Sequence, residues 1–362
     1  MLVGFNSPDM TVTRNQRIIL SITALLFSTL ACRAATRLII PDTPTPPPTP
    51  TATFTPTLTP SPSPTPTVFV FEASCPLVVD EIIEDAIYST GSSSNEQANS
   101  DEEITHLVYY SVVENELKTP LFDSVKDDLE DEQEDRAAHE AIWNLFTSLI
   151  PADQRDFITG FSIFTDGYEN YLAAVNQSDR DPFKWELNVD IADSLEKTNL
   201  TYTLLHEHGH LLTLNSVQVE VSLAVHKNPY DEEIYQSEVS VCPQYFTGEG
   251  CSNSNSYINQ FFNRFWLNLY AEWQVIDDEE DEDTRSNLLD DFYDTYEDQF
   301  LTNYAPTSPA EDIAESWAFF VLSPKPELNS ITNEKILFFY EYPELVQLRA
   351  EILNSVCLEF QQ

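Results

Sequence analysis

The chain has little positive charge: 17 Lys and Arg stand against 61 Asp and Glu in 362 residues, a formal net charge of -44. A field of that sign repels phosphate backbones and anionic bilayer surfaces, which argues against nucleic acid or a lipid face as partner. It favours solubility and concentrates divalent cations nearby. The five cysteines include no C-x-x-C pair, which disfavours a Cys/His zinc knuckle. Internal repeats are absent. The N-terminal apolar run from Ile18 to Ala31 is too short and wrongly flanked to span a membrane. What is plentiful is core material. Hydrophobic residues make up 42%, with 16 Tyr, 22 Phe and 5 Trp, which excludes a disordered acidic chain.

Three segments follow from composition. Residues 1–32 have the form of an export signal: Arg14 and Arg17 precede the apolar run, and Met10 offers an alternative start. The run ends at Thr29-Leu30-Ala31-Cys32, which resembles a bacterial lipobox. That resemblance implies lipidation at Cys32 and a membrane contact made only through the anchor. Plain secretion with cleavage near Ala31 or Ala35 is the alternative. Residues 33–67 form a linker whose Pro/Thr tract, 41–67, favours extended polyproline conformation. At about 3.1 Å per residue it would stand the domain roughly 80 Å from its anchor. Residues 68–362 are the folded domain. Its four cysteines predict two disulfides in an exported chain: Cys242 with Cys251 across a short Gly-containing loop, and Cys75 with Cys357 across the whole domain.

Within the domain, the fold class expected is α+β, a small mixed sheet followed by a mostly helical C-terminal half. Helices are expected near 76–88 and 137–149, and strands at 107–113, 161–165, 171–175 and 185–189. Asp193 or Ser194 would cap the next helix. Residues 216–255 read as irregular apart from a strand near 217–223, and 256–275 reads as one long helix. Further helices are expected at 286–300, 308–322, 330–340 and 343–357. The acidic run Asp277–Asp283 lacks the spaced pattern of a dedicated calcium loop and reads as a solvated turn.

The helix after residue 195 carries Thr203-Leu204-Leu205-His206-Glu207-His208-Gly209-His210-Leu211-Leu212. At helical pitch His206 and His210 share a face and can reach one metal ion, with Glu207 beside them as a proton acceptor. This H-E-x-x-H spacing suits zinc, which then needs a third ligand and a water. The leucines on either side predict burial, and buried histidines and a glutamate need a partner. Chance is the competing reading of the motif. His208 faces away, and His106, His139 and His226 have no partners at ligand spacing.

A third histidine after a glycine is excluded, because Thr213 and Ser216 occupy those places. The better candidate is a later helix, with Ser308 as its cap and Pro309 at its first position. Glu311 and Glu315 share one of its faces. Glu311 can ligate, while Glu315 can fix the tautomer of a ligand histidine. Asp312 points elsewhere, as a surface or capping carboxylate.

His206-Glu207-x-x-His210 with Glu311-x-x-x-Glu315 resembles the gluzincin metallopeptidases, the thermolysin-like arrangement, and within them the anthrax lethal factor-like pattern. The resemblance covers about 30 residues. It implies a zincin-like metallopeptidase domain, with zinc held by His206, His210 and Glu311, and Glu207 as general base. Tyr304, seven residues before Glu311, would donate to the oxyanion. The substrate would be a peptide or protein, paired with a strand such as Trp185–Val189. Glu311 lies 101 positions after His210, and the insert between them would shape the cleft. A non-catalytic metal-binding or structural surface lipoprotein is the alternative, and a calcium-collecting acidic protein is a second rival.

Overall fold

The computed structural model describes residues 74–92, 104–167 and 171–361. The signal segment, Cys32 and the Pro/Thr linker lie outside the described residues. Helix α1 (Pro76–Ser92) leads to strands β1 (Thr105–Val113) and β2 (Glu116–Phe122), then to the short α2 (Glu130–Glu134) and α3 (Arg136–Leu149). Strands β3 (Ile158–Thr165), β4 (Ala173–Ser178) and β5 (Asp181–Asp190) complete the sheet. Helix α4 (Lys197–Leu214) follows, then β6 (Val219–Val221), α5 (Leu223–Lys227), α6 (Glu232–Val241) and β7 (Gly250–Ser252). The remainder is helical: α7 (Tyr257–Phe261), α8 (Tyr270–Asp277), α9 (Glu282–Tyr296), α10 (Pro309–Leu322), α11 (Ile331–Phe339) and α12 (Pro343–Glu359). A mixed sheet before a mostly helical half is therefore what the chain forms.

The sheet runs β2-β1-β3-β5-β4, with β3 and β5 parallel and the other neighbours antiparallel. β2 was not among the expected strands. Its turn is made by Glu114 and Asn115, both at positive φ, a geometry usually signalled by glycine. None of its residues is buried, and its apolar residues, Leu117, Leu121 and Phe122, do not alternate with polar ones. Trp185–Val189, expected to receive a substrate strand, lies in β5 and is paired on both sides by β3 and β4. It has no free edge. The free edge next to the helical half belongs to β4.

Helix α4 is buried almost all round from Leu200 to Leu214, as suits a helix crossing the core rather than lining its surface. It packs against α1, α10 and β4. Asn215 ends it, its amide donating to the Leu211 and Leu212 carbonyls. Its start corrects the expectation: Asp193 and Ser194 lie in a preceding 3-10 turn, and no side chain caps α4 at Glu196. Gly209 explains the close approach of α4 to α10. A Cβ there would meet Ala314 Cα at 2.9 Å. Trading helix propensity for contact is the use of glycine here.

Two other expectations change. Residues 256–275 form α7, a π turn over Phe262–Trp266 and α8 instead of one helix. Burying Phe261, Phe262, Phe265, Trp266 and Leu269 together asks for contacts on more than one face. The extra residue in the turn lets Phe262 stack on Tyr245 at 4.3 Å while Trp266 Nε1 donates to Asp312. In the insert, α6 forms where irregular chain was expected. It is capped by Asp231 but has no buried residue, so no apolar period announces it.

Both expected disulfides are present, Cys75–Cys357 and Cys242–Cys251. They indicate an oxidising, extracytoplasmic compartment. Among the described residues no helix is long and apolar enough to cross a membrane.

Candidate metal centre

The site is built where α4 meets the first two turns of α10. Ser308 caps α10 by accepting from Glu311 N–H, and Pro309 opens it, which sets Glu311 and Glu315 one turn apart facing α4. His206 Nε2 lies 2.9 Å from Glu311 Oε2, and His210 Nε2 lies 3.2 Å from that oxygen and 3.1 Å from His206 Nε2. Three ligand atoms from residues separated by 105 positions thus converge on one point.

The hydrogen bonds around them decide what that point wants. Glu315 Oε2 accepts from Tyr202 Oη at 2.8 Å and from Thr302 Oγ1 at 2.7 Å. Glu315 Oε1 is 2.7 Å from His206 Nδ1. A carboxylate only accepts, so Nδ1 carries a proton toward Glu315, which leaves Nε2 as the nitrogen that can turn a lone pair to a cation beside Glu311 and His210. Three acceptors facing one another must be reconciled by protons or by a cation. Zinc bonds of about 2.0–2.1 Å place neighbouring ligand atoms about 3.3 Å apart in a tetrahedron. The observed spacings lie close to that edge, and two imidazoles with one carboxylate are a zinc-type donor set. The residues fit the ion.

Electrostatics agree. Burial pulls His206 and His210 downward, yet the Glu311 and Glu315 carboxylates override it, and both imidazoles stand above their ordinary range. For Glu311, burial pushes upward and the two imidazoles hold it well below the carboxylate range. Without an ion, the acids draw protons onto the imidazoles in the place a cation would take.

Glu207 is buried on the same helix, and its Oε2 accepts from Val175 N–H at 2.8 Å. Val175 belongs to edge strand β4, so that strand is pinned beside the site. Burial raises the Glu207 carboxyl, the imidazoles draw it back, and Glu311 adds to the rise. Tyr304 is 44% exposed, with its ring 5.9 Å from that of His206. The Glu311 charge, then burial, pushes its hydroxyl well above the usual phenol range, which keeps it a hydrogen-bond donor. Glu207, Tyr304, His206, His210, Glu311 and Glu315 are therefore brought to one place.

Asp312 corrects its expectation. It is fully buried and accepts from Lys335 Nζ at 2.6 Å and from Trp266 Nε1 at 2.7 Å. It ties α10 to α11 and the π turn. His208 is a core residue whose ring lies 5.5 Å from that of Trp317. Sequence reasoning missed Tyr202, Thr302 and the Val175 N–H, because their relevance comes only from contact. It also missed Glu249, a shielded carboxylate on the Cys242–Cys251 loop with Oε2 unpartnered. Burial raises its carboxyl, and His210 offsets part of that rise. Compared with known protein families, characterised proteins and solved structures, the chain matches none.

Proposed function

We propose that the protein is an extracytoplasmic zinc-dependent peptidase with a zincin-like site of the gluzincin type, tethered through Cys32 and the Pro/Thr linker. The single observation carrying this reading is the convergence of His206 Nε2, His210 Nε2 and a Glu311 oxygen on one buried point, with Glu207 on the same helix. When bound, zinc supplies a Lewis acid and acidifies a water.

The chain's own groups do the rest. Glu315, held by Tyr202 and Thr302, fixes the His206 tautomer so that Nε2 stays a ligand. Glu207 takes the proton from the attacking water and returns it to the leaving amine. Its raised carboxyl brings its basicity nearer neutrality, which suits a group that must both accept and donate. Tyr304 donates to the oxygen on which charge develops. The free edge of β4 offers backbone groups to an extended substrate, and Val175 ties that edge to Glu207.

The test is Glu207→Gln assayed on a mixed-peptide digest. Hydrolysis should fall by about 10²- to 10⁴-fold, with zinc content unchanged. Cleavage at the wild-type rate sinks the mechanism. Stoichiometric zinc with no cleavage by the wild type favours the non-catalytic reading.

A further inference from the structure

A second set of ligating groups lies outside the site described above. Asp166 follows the last residue of β3, Asp190 is the last residue of β5, and Asp193 stands in the 3-10 turn leading to α4. Because β3 and β5 are parallel neighbours, with Phe164 opposite Asp190, all three carboxylates emerge at one end of the sheet. One oxygen from each lies within 4.8 Å of the others.

We propose that Asp166, Asp190 and Asp193 form a calcium site that clamps this end of the sheet to the start of α4.

Burial makes the case. Asp190 is 0% exposed and Asp166 5%. Asp190 is oriented by Asp166 N–H and Ala192 N–H, each 2.7 Å from one of its oxygens. Asp166 Oδ2 accepts from Tyr171 N–H at 3.2 Å. Asp166 Oδ1 and Asp193 Oδ2 are shielded from solvent and receive no donor. The Asp166 carboxylate meets that of Asp190 side chain to side chain. Among the described residues no ion pair reaches any of the three. Each buried carboxylate left without a counter-charge costs several kcal/mol in effective desolvation. Burial, reinforced by Asp166, accordingly pushes Asp190 up to about 7 and Asp193 up to about 6.

The donor set selects the ion. There is no imidazole or thiolate, which disfavours zinc and copper. Calcium takes six to eight oxygens at about 2.3–2.6 Å in irregular geometry. Two ligands on opposite sides of such an ion stand at most about 5 Å apart. The observed spread falls within that span. Backbone carbonyls and waters complete such a shell. The oxidising compartment indicated by the disulfides is also where calcium is abundant enough for a site of extracellular affinity.

This inference does not rest on the peptidase reading, and its test reads calcium rather than cleavage. Purified protein is passed into calcium-free buffer, its zinc content checked, and titrated with radioactive calcium by equilibrium dialysis while its thermal midpoint is followed. One calcium per chain is expected, with a dissociation constant of about 10⁻⁴–10⁻³ M. The midpoint should rise by about 4 °C or more at saturating calcium. Asp166→Asn and Asp193→Asn, shown folded by circular dichroism, should each weaken binding at least about tenfold. Asp281→Asn, in the exposed acidic run, should not. No stoichiometric calcium at about 10 mM in the wild type overturns the site without recourse to any variant. So does calcium that is lost in Asp281→Asn and kept in Asp166→Asn. Either result leaves the carboxyls sharing protons among themselves.

Discussion

Two anionic clusters flank one helix and are answered differently. In the middle of α4, every charge has a partner: Glu315 accepts from Tyr202, Thr302 and His206, and Glu311 meets two imidazoles. Just before α4, Asp166 and Asp193 each keep a shielded oxygen that nothing donates to. The first cluster mixes nitrogen with oxygen, and its imidazoles hold Glu311 low. The second is all oxygen, and burial, with Asp166 beside them, raises Asp190 and Asp193. Charge count alone would make them equivalent. Donor softness and hydrogen-bond supply suit the first to zinc, as proposed, and the second to a harder ion.

The comparison breaks most readily by exchange of variants. His206→Ala should take zinc from one per chain to none and leave calcium binding intact, whereas Asp166→Asn should do the reverse; metal analysis of both proteins reads this directly. If one substitution empties both sites, they are not independent. The next effect concerns Glu315, which touches the imidazole rather than the ion. Glu315→Ala should weaken zinc about 10- to 100-fold, measured by competition with a chelator, and Glu315→Gln should recover part of that loss because its carbonyl still accepts.

A smaller effect tests the packing that holds the His/Glu cluster together. Gly209→Ala places a methyl against Ala314 at the crossing of α4 and α10. It should cost about 1–3 kcal/mol in denaturant unfolding. An unchanged midpoint would mean that the two helices can part without harm.

The smallest effect uses a third acidic group as a reference. Burial, with Asp278 beside it, pushes Asp277 up to about 7. A folded carboxyl raised above its ordinary value contributes most below about pH 4, and that contribution is lost as pH rises through about 7. Asp277→Asn should therefore raise the thermal midpoint by about 1–2 °C at pH 8 and leave it unchanged near pH 4. A difference that does not change with pH would remove Asp277 as its source.

Much of the His/Glu cluster could be read from local spacing. His206 and His210 share a face because of helical pitch, and Ser308-Pro309 announced where α10 begins and hence which acids face inward. The disulfides followed from loop length and parity. What escaped reading depended on contacts between distant segments. Asp312 looked like a surface acid because Lys335, its counter-charge, lies 23 residues on in another helix. Asp193 looked like a cap, and only the parallel pairing of β3 with β5 brings Asp166 to Asp190. β2 and α6 lack an apolar period because neither is substantially buried. The π turn reflects packing demands on all sides of 257–269, which no single periodicity encodes.

The central claim is tested most directly by zinc stoichiometry in the wild type and in Glu311→Ala after loading and removal of excess metal. One zinc per chain in the wild type and loss of that zinc in Glu311→Ala is the predicted result. A wild type that retains none, or a Glu311→Ala protein that holds zinc as tightly as the wild type, contradicts it.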